Sequence, residues 1–248
     1  SFINCKKLQK IEVTENSELK TIDKEAFHGT SIDSFTIPSS AVDLKEGWFC
    51  HSLNLTTINV SSDNHRYKSC EGKMIIGKSC VEEEVYDTII FCNRNVLDIN
   101  IPSYIKYIAA YSFSHCYYLR KIEIQSDSKL QAIEKYAFHD SPIESFTIPQ
   151  SLTTIGEYAF AECTKLKKIQ IPFNSKLQVI NKRAFSHSLI TSIVIPHDLT
   201  HLGLFVFFRN PFLQIIEIQN ISIKNMIFDR LQLINEKAVK IMIPNNVH

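Results

Sequence analysis

Apolar residues in this chain recur in short alternating runs, and the runs recur at near-constant intervals. Residues 148–172, IPQSLTTIGEYAFAECTKLKKIQIP, show the unit most fully: Leu166, Ile169 and Ile171 form L-x-x-I-x-I, closed by Pro172. Apolar positions alternating with polar ones over such a length predict a half-buried strand. The motif stands at 8–13 (LQKIEV), 32–37 (IDSFTI), 55–60 (LTTINV), 96–101 (VLDINI), 119–124 (LRKIEI), 143–148 (IESFTI), 166–171 (LKKIQI), 190–195 (ITSIVI), 213–218 (LQIIEI) and 238–243 (AVKIMI). Pro38, Pro102, Pro149, Pro172, Pro196 and Pro244 follow directly, and a residue without an amide donor stops a ladder there. The prediction is a repeat rod of about ten parallel strands, stacked about 4.8 Å apart.

A second marker is Phe, at 2, 27, 49, 91, 113, 138, 160, 185 and 207. Steps of 25 and 22 residues alternate, apart from one of 42, so the unit is a long and a short repeat of about 47 residues together. Between strand and Phe lies another apolar anchor, Ile22, Leu44, Ile108, Ile133, Ile155, Ile180 or Leu202. The space around it suffices for a short turn, a helical turn or a bridge-like strand. The step of 42 carries 17 extra residues within 61–90, where Met74-Ile75-Ile76 and Thr88-Ile89-Ile90-Phe91 flank Glu82-Glu83-Glu84. That segment is expected to project as an inserted β-hairpin, a satellite the rod does not need. The pattern fades over 219–248, a worn or capping repeat, and residues 1–248 form one domain.

The unit resembles the BspA-like (Treponema pallidum-type) leucine-rich repeat, whose outline runs strand-I-P-x-S-V-T-x-I-G-x-x-A-F-x-x-C-x-x-L. Ile148-Pro149, Ser151-Leu152-Thr153, Ile155-Gly156, Ala159-Phe160, Cys163 and Leu166 match it almost position by position. The chain departs from it in its strict long/short alternation and in keeping the repeat Gly only at Gly156 and Gly203. The Asn ladder of other leucine-rich repeats is also missing. The resemblance implies a leucine-rich-repeat solenoid, on a surface or secreted protein that takes part in adhesion.

Charge balances at 27 basic against 26 acidic residues, which gives no general attraction to nucleic acid. No apolar run approaches the roughly 18–20 residues that span a bilayer. The chain starts at Ser1 in what reads as mid-repeat, as a mature or excised piece of a longer protein would.

No motif for nucleophilic, metalloprotease or phosphate chemistry is present, so neither enzyme activity nor a cofactor is expected. Cys5, Cys116 and Cys163 share one repeat position and read as buried small hydrophobes. Cys70, Cys80 and Cys92 border the insertion; a Cys70–Cys80 bridge would staple it in an oxidising compartment, with free thiols the alternative. His28, His51, His115, His139 and His187 follow marker Phe residues along one edge. Spread along a rod, they are expected not to converge on a metal and to be solvated turn residues. Asn54, Asn59 and Asn220 head N-x-S/T sequons. Outward strand positions pair Lys with Ser and Glu with Thr along the sheet. Arg120, Lys121, Lys167 and Lys168 form a basic spot interrupted by Glu144. Either this face only keeps the sheet soluble, or it binds a protein or other macromolecular ligand. A structural spacer and a regulatory repeat domain of a larger protein are the other readings.

Overall fold

The computed structural model describes residues 1–14, 16–80, 82–219 and 239–243. Nine of the ten strand motifs form strands: β2 (Ser34–Ile37), β4 (Thr57–Val60), β8 (Asp98–Ile101), β10 (Lys121–Ile124), β12 (Ser145–Thr147), β14 (Lys168–Gln170), β16 (Ser192–Ile195), β18 (Ile215–Ile218) and β19 (Lys240–Met242). They make the broad side of a parallel β-solenoid. Their inward residues, Phe35, Ile58, Ile99, Phe146, Ile169, Ile193 and Ile216, are buried, as period-2 alternation requires. Residues 8–13 lie beyond β2 without a strand ladder.

The other side is built of two-residue strands, with no helix among the described residues: β1 (Thr21–Ile22), β3 (Asp43–Leu44), β9 (Tyr107–Ile108), β11 (Ala132–Ile133), β13 (Thr154–Ile155), β15 (Val179–Ile180) and β17 (His201–Leu202). Each ends on the second anchor. The bridge-like strand therefore prevails over the helical turn, because neighbouring repeats complete each other's backbone hydrogen bonds in register, Ile133 with Ile108 and Ile155.

Between the two sides the chain rounds a corner centred on the marker Phe. The residues two before and two after it take positive φ in repeat after repeat: Tyr111 and His115 around Phe113, Tyr136 and Asp140 around Phe138, Tyr158 and Glu162 around Phe160. Two left-handed residues per corner turn the chain sharply while the Phe between them points inward. The Phe N–H donates to the carbonyl before the next Phe, 2.8 Å for Phe113 to Ala137 and 2.7 Å for Phe138 to Ala159. The Phe rings stack at 4.8, 5.0, 5.4 and 6.1 Å from Phe113 through Phe138, Phe160 and Phe185 to Phe207. Phe2, Phe27 and Phe49 form a separate stack, in which Phe2 is 46 % exposed.

Phe91 corrects the expected column. Its backbone position is not the corner; Cys92 holds it, donating its N–H to Ser112 at 2.9 Å. The Phe91 ring instead lies 6.4 Å from Trp48 in the first core. The insertion accounts for this. β5 (Tyr67–Cys70) and β6 (Met74–Gly77) form the expected hairpin, with Glu71 and Gly72 both at positive φ, as a tight hairpin turn needs. The hairpin does not project. β6 also pairs antiparallel with β7 (Thr88–Cys92), and β7 pairs in parallel with β9, so one sheet runs β17-β15-β13-β11-β9-β7-β6-β5. The β6–β7 wall is buried on both faces: Met74, Ile76, Ile89 and Cys92 line the larger core, while Ile75 and Phe91 line the smaller. Two-sided burial explains the unalternating runs MII and TIIF. Asn93 binds the wall to the broad sheet, accepting from Ile58 N–H at 3.2 Å and donating to Gly72 O at 2.8 Å.

Candidate functional site

The broad sheet presents the five residues singled out by sequence. Arg120, Lys121, Glu144, Lys167 and Lys168 are all exposed. Lys121 opens β10 opposite Asp98, and Lys168 opens β14 opposite Ser145. Lys167 N–H donates to Glu144 O at 2.9 Å, which fixes these two side chains on neighbouring repeats. Lys121 is ion-paired within its own strand to Glu123, and Lys10 repeats that arrangement with Glu12 at 2.5 Å. Among the described residues no ion pair engages Arg120, Lys167 or Lys168. A shallow groove of about 430 Å³ continues this face past Lys168, between β14 and β16. Asn54 and Asn59 are exposed, while Asn220 and most of 219–248 lie outside the described residues.

All seven cysteines are free thiols. Cys116 and Cys163 are buried as expected, but Cys5 is exposed, since its repeat is packed from one side only. Cys92 sits in the core beside Cys116. Burial would raise Cys116, but the Cys92 thiol and the Arg94 guanidinium, 3.3 Å away, bring it down to about 7.

The histidine edge departs most from expectation. Because the wall leaves the outer corner at Cys92–Arg94 without left-handed residues, the corner at 47–51 packs directly on that at 111–115. The His51 and His115 rings lie 4.4 Å apart, and Lys135 reaches Glu46 at 2.7 Å. Gly47, at φ +65°, suits this close approach, since an added Cβ would sit 3.3 Å from the Tyr111 ring. His115 is not a solvated turn residue but 5 % exposed. Its Nδ1 faces Asp140 Oδ2 at 3.1 Å, and Tyr117 OH donates to the same oxygen at 3.0 Å. A ring nitrogen facing a carboxylate carries the proton, which leaves the lone pair on Nε2. Burial, then His51 and Arg94, lowers His115 to about 4, and burial raises Cys50 to about 11. Cys50 Sγ, His51 and His115 offer ligand atoms within 4.8 Å of one another, among the described residues the one such set of three. Sequence spacing placed His51 and His115 two repeats apart and passed over Cys50; the signal was the unalternating MII and TIIF runs, which mark a wall and not a repeat.

The sequence matches the BspA type leucine-rich repeat region, in six copies over residues 1–71, 85–214 and 131–247. The chain belongs to this family. Three solved structures share the fold of this BspA-type chain. The pneumococcal vaccine antigen PcpA has 23% identity and a TM-score of 0.58, over 86% of this chain and 46% of its own. A leucine-rich repeat protein of Eubacterium ventriosum has 23% identity and a TM-score of 0.60, over 81% and 53%. A leucine rich cell surface protein of Faecalibacterium prausnitzii has 17% identity and a TM-score of 0.60, over 99% and 62%. The chain thus spans about half to three fifths of the length of these relatives. None of the curated proteins matches it in sequence. No helix among the described residues is long and apolar enough to cross a membrane.

Proposed function

We propose that this BspA-type chain is a non-catalytic protein-interaction module of a surface or secreted protein. Its macromolecular partner seats on the broad sheet around Arg120, Lys121, Glu144, Lys167 and Lys168. The observation that carries this reading is that all five side chains are exposed along the broad side, Lys121 and Lys168 opening β10 and β14, with Arg120, Glu144 and Lys167 immediately before β10, β12 and β14. Charges on a stiff sheet lose little conformational freedom on binding and steer an acidic partner. Solenoids bind through extended surfaces of this kind. The relatives described as a vaccine antigen and a cell surface protein support a surface location. The competing reading, a spacer with a merely soluble face, is favoured by the pairing of Lys121 with Glu123 in its own strand.

The test begins with a partner captured on the folded chain from cell-surface or host extracts. Lys121→Glu combined with Lys168→Glu should then weaken binding tenfold or more. Unchanged affinity would move the contact off this face, and a chain with no partner at all would favour the spacer.

A further inference from the structure

We propose that Cys50, His51 and His115 form a binding site for a zinc-class divalent cation, through Cys50 Sγ, an imidazole nitrogen of His51 and His115 Nε2. Three independent observations converge on it. The ligand atoms lie within 4.8 Å of one another. In a tetrahedral zinc site such atoms stand roughly 3.5 Å apart, so the site needs a closure of about 1 Å. That movement falls to His51, the exposed member of the set, whose ring lies 4.9 Å from His28 and 4.4 Å from His115.

The second observation is His115 Nε2 itself, a buried polar atom with no hydrogen-bond partner. An unpartnered polar atom at this depth is costly to leave bare, and a metal bond removes the cost. The third is the support behind it. Asp140 holds Nδ1–H at 3.1 Å and is itself held by Tyr117. A carboxylate behind a ligating imidazole fixes its tautomer, aims its lone pair and strengthens it as a donor.

A thiolate with two imidazoles selects a borderline-soft ion over magnesium or calcium. Three protein ligands leave one tetrahedral position for water. Binding converts the Cys50 thiol to a thiolate and releases its proton to solvent. Cys50 and His51 belong to the corner before the wall and His115 to the corner after it, so the ion would clamp the two stacks together.

The test uses the whole chain, reduced, stripped of metal with a chelator and titrated with Co(II) without oxygen. One equivalent should give a thiolate-to-cobalt charge-transfer band with intense tetrahedral visible bands, both bleached by Zn(II). Zn(II) should also raise the thermal midpoint. His51→Ala removes an exposed ligand and leaves the core intact; it should weaken Co(II) binding at least tenfold and abolish the midpoint shift. Cys50→Ser should abolish the charge-transfer band, while His187→Ala, at a corner outside the set, should change neither readout. Absence of the band in the parent chain would overturn the site, as would a band that persists in His51→Ala.

Discussion

The regular repeats over 96–218 and the wall at 67–92 bury apolar surface in opposite ways. In a regular repeat each strand has one wet and one dry face, so β8 and β12 alternate exposed and buried residues along their length. Neighbouring repeats supply everything the dry face needs. In the wall β6 is buried at all four positions, because a core lies on either side. The comparison teaches that a repeat protein can end one hydrophobic column and start another without an open end, provided the dividing element is apolar on both faces. It also shows why the insertion is no appendage.

Removing the wall is the harshest way to break the comparison. Excision of 67–92 deletes residues from both cores and uncovers Phe49 and Phe113 together. The variant is expected to lose its cooperative thermal transition in circular dichroism; a sharp melt near the parent's would restore the satellite view. Single truncations sharpen it. Phe160→Ala in a regular repeat should cost about 3–5 kcal/mol, and Ile76→Ala in the wall about 2–5 kcal/mol, in urea denaturation. Phe2→Ala, half exposed at the edge of its stack, should cost nearer 0.5 kcal/mol, roughly the surface value. Equal losses at Phe2 and Phe160 would contradict the burial pattern.

Asp87, just before β7, tests how the wall is tied to the next repeat. Its carboxylate is fully buried and pairs with Lys106 at 3.2 Å, while Ser79 donates to it through N–H and hydroxyl, each at 2.9 Å. Burial alone would raise this carboxyl, but Ser79 and Lys106 hold it below the usual carboxylate range. A group depressed in the folded state stabilises the fold above its unfolded value, about 3.9, and loses that contribution as pH falls through the folded value. Asp87→Asn should therefore flatten the acid side of the stability curve, read as the urea midpoint against pH. A curve parallel to the parent's would show that Asp87 plays no part. The smallest expected effect is that of Lys121→Glu with Lys168→Glu on folding, within about 0.5 kcal/mol. A larger loss would mean that any change in binding reports unfolding.

The sequence made the repeat legible because alternation and period are written in residue type: nine of ten strand motifs became strands, and each second anchor ends a two-residue strand. Exposure of Lys121 and Lys168 followed from the same alternation, while Arg120, Glu144 and Lys167 are exposed just ahead of the strands. Three things were not legible for one common reason. Phe91 fits the period yet points into another core, Cys50 looks like filler, and His51 and His115 look remote. Each depends on which repeats touch across the insertion, and spacing along the chain carries no record of a wall that adds strands to one side of the rod without adding a corner. The strand motif at 8–13 failed differently: its alternation is intact, but a ladder needs a well-placed neighbour as well as a pattern.

The two sides of the rod are laced unequally. On the narrow side one hydrogen-bonded sheet runs unbroken from β7 to β17, whereas the broad side is tied in groups, β8 with β10, β12 with β14, β16 with β18 and β19. No ladder joins β10 to β12 or β14 to β16. Mechanically this is a strap with slits cut in one face. Bending that spreads the broad face loads these seams, crossed at β14–β16 only by single backbone bonds such as Leu189 N–H to Leu166 O at 2.9 Å, while bending the other way must tear the continuous sheet. Compliance is thus directional and quantised in steps of one long-plus-short pair. A partner lying across Lys121 and Lys168 would span such a slit and feel its opening.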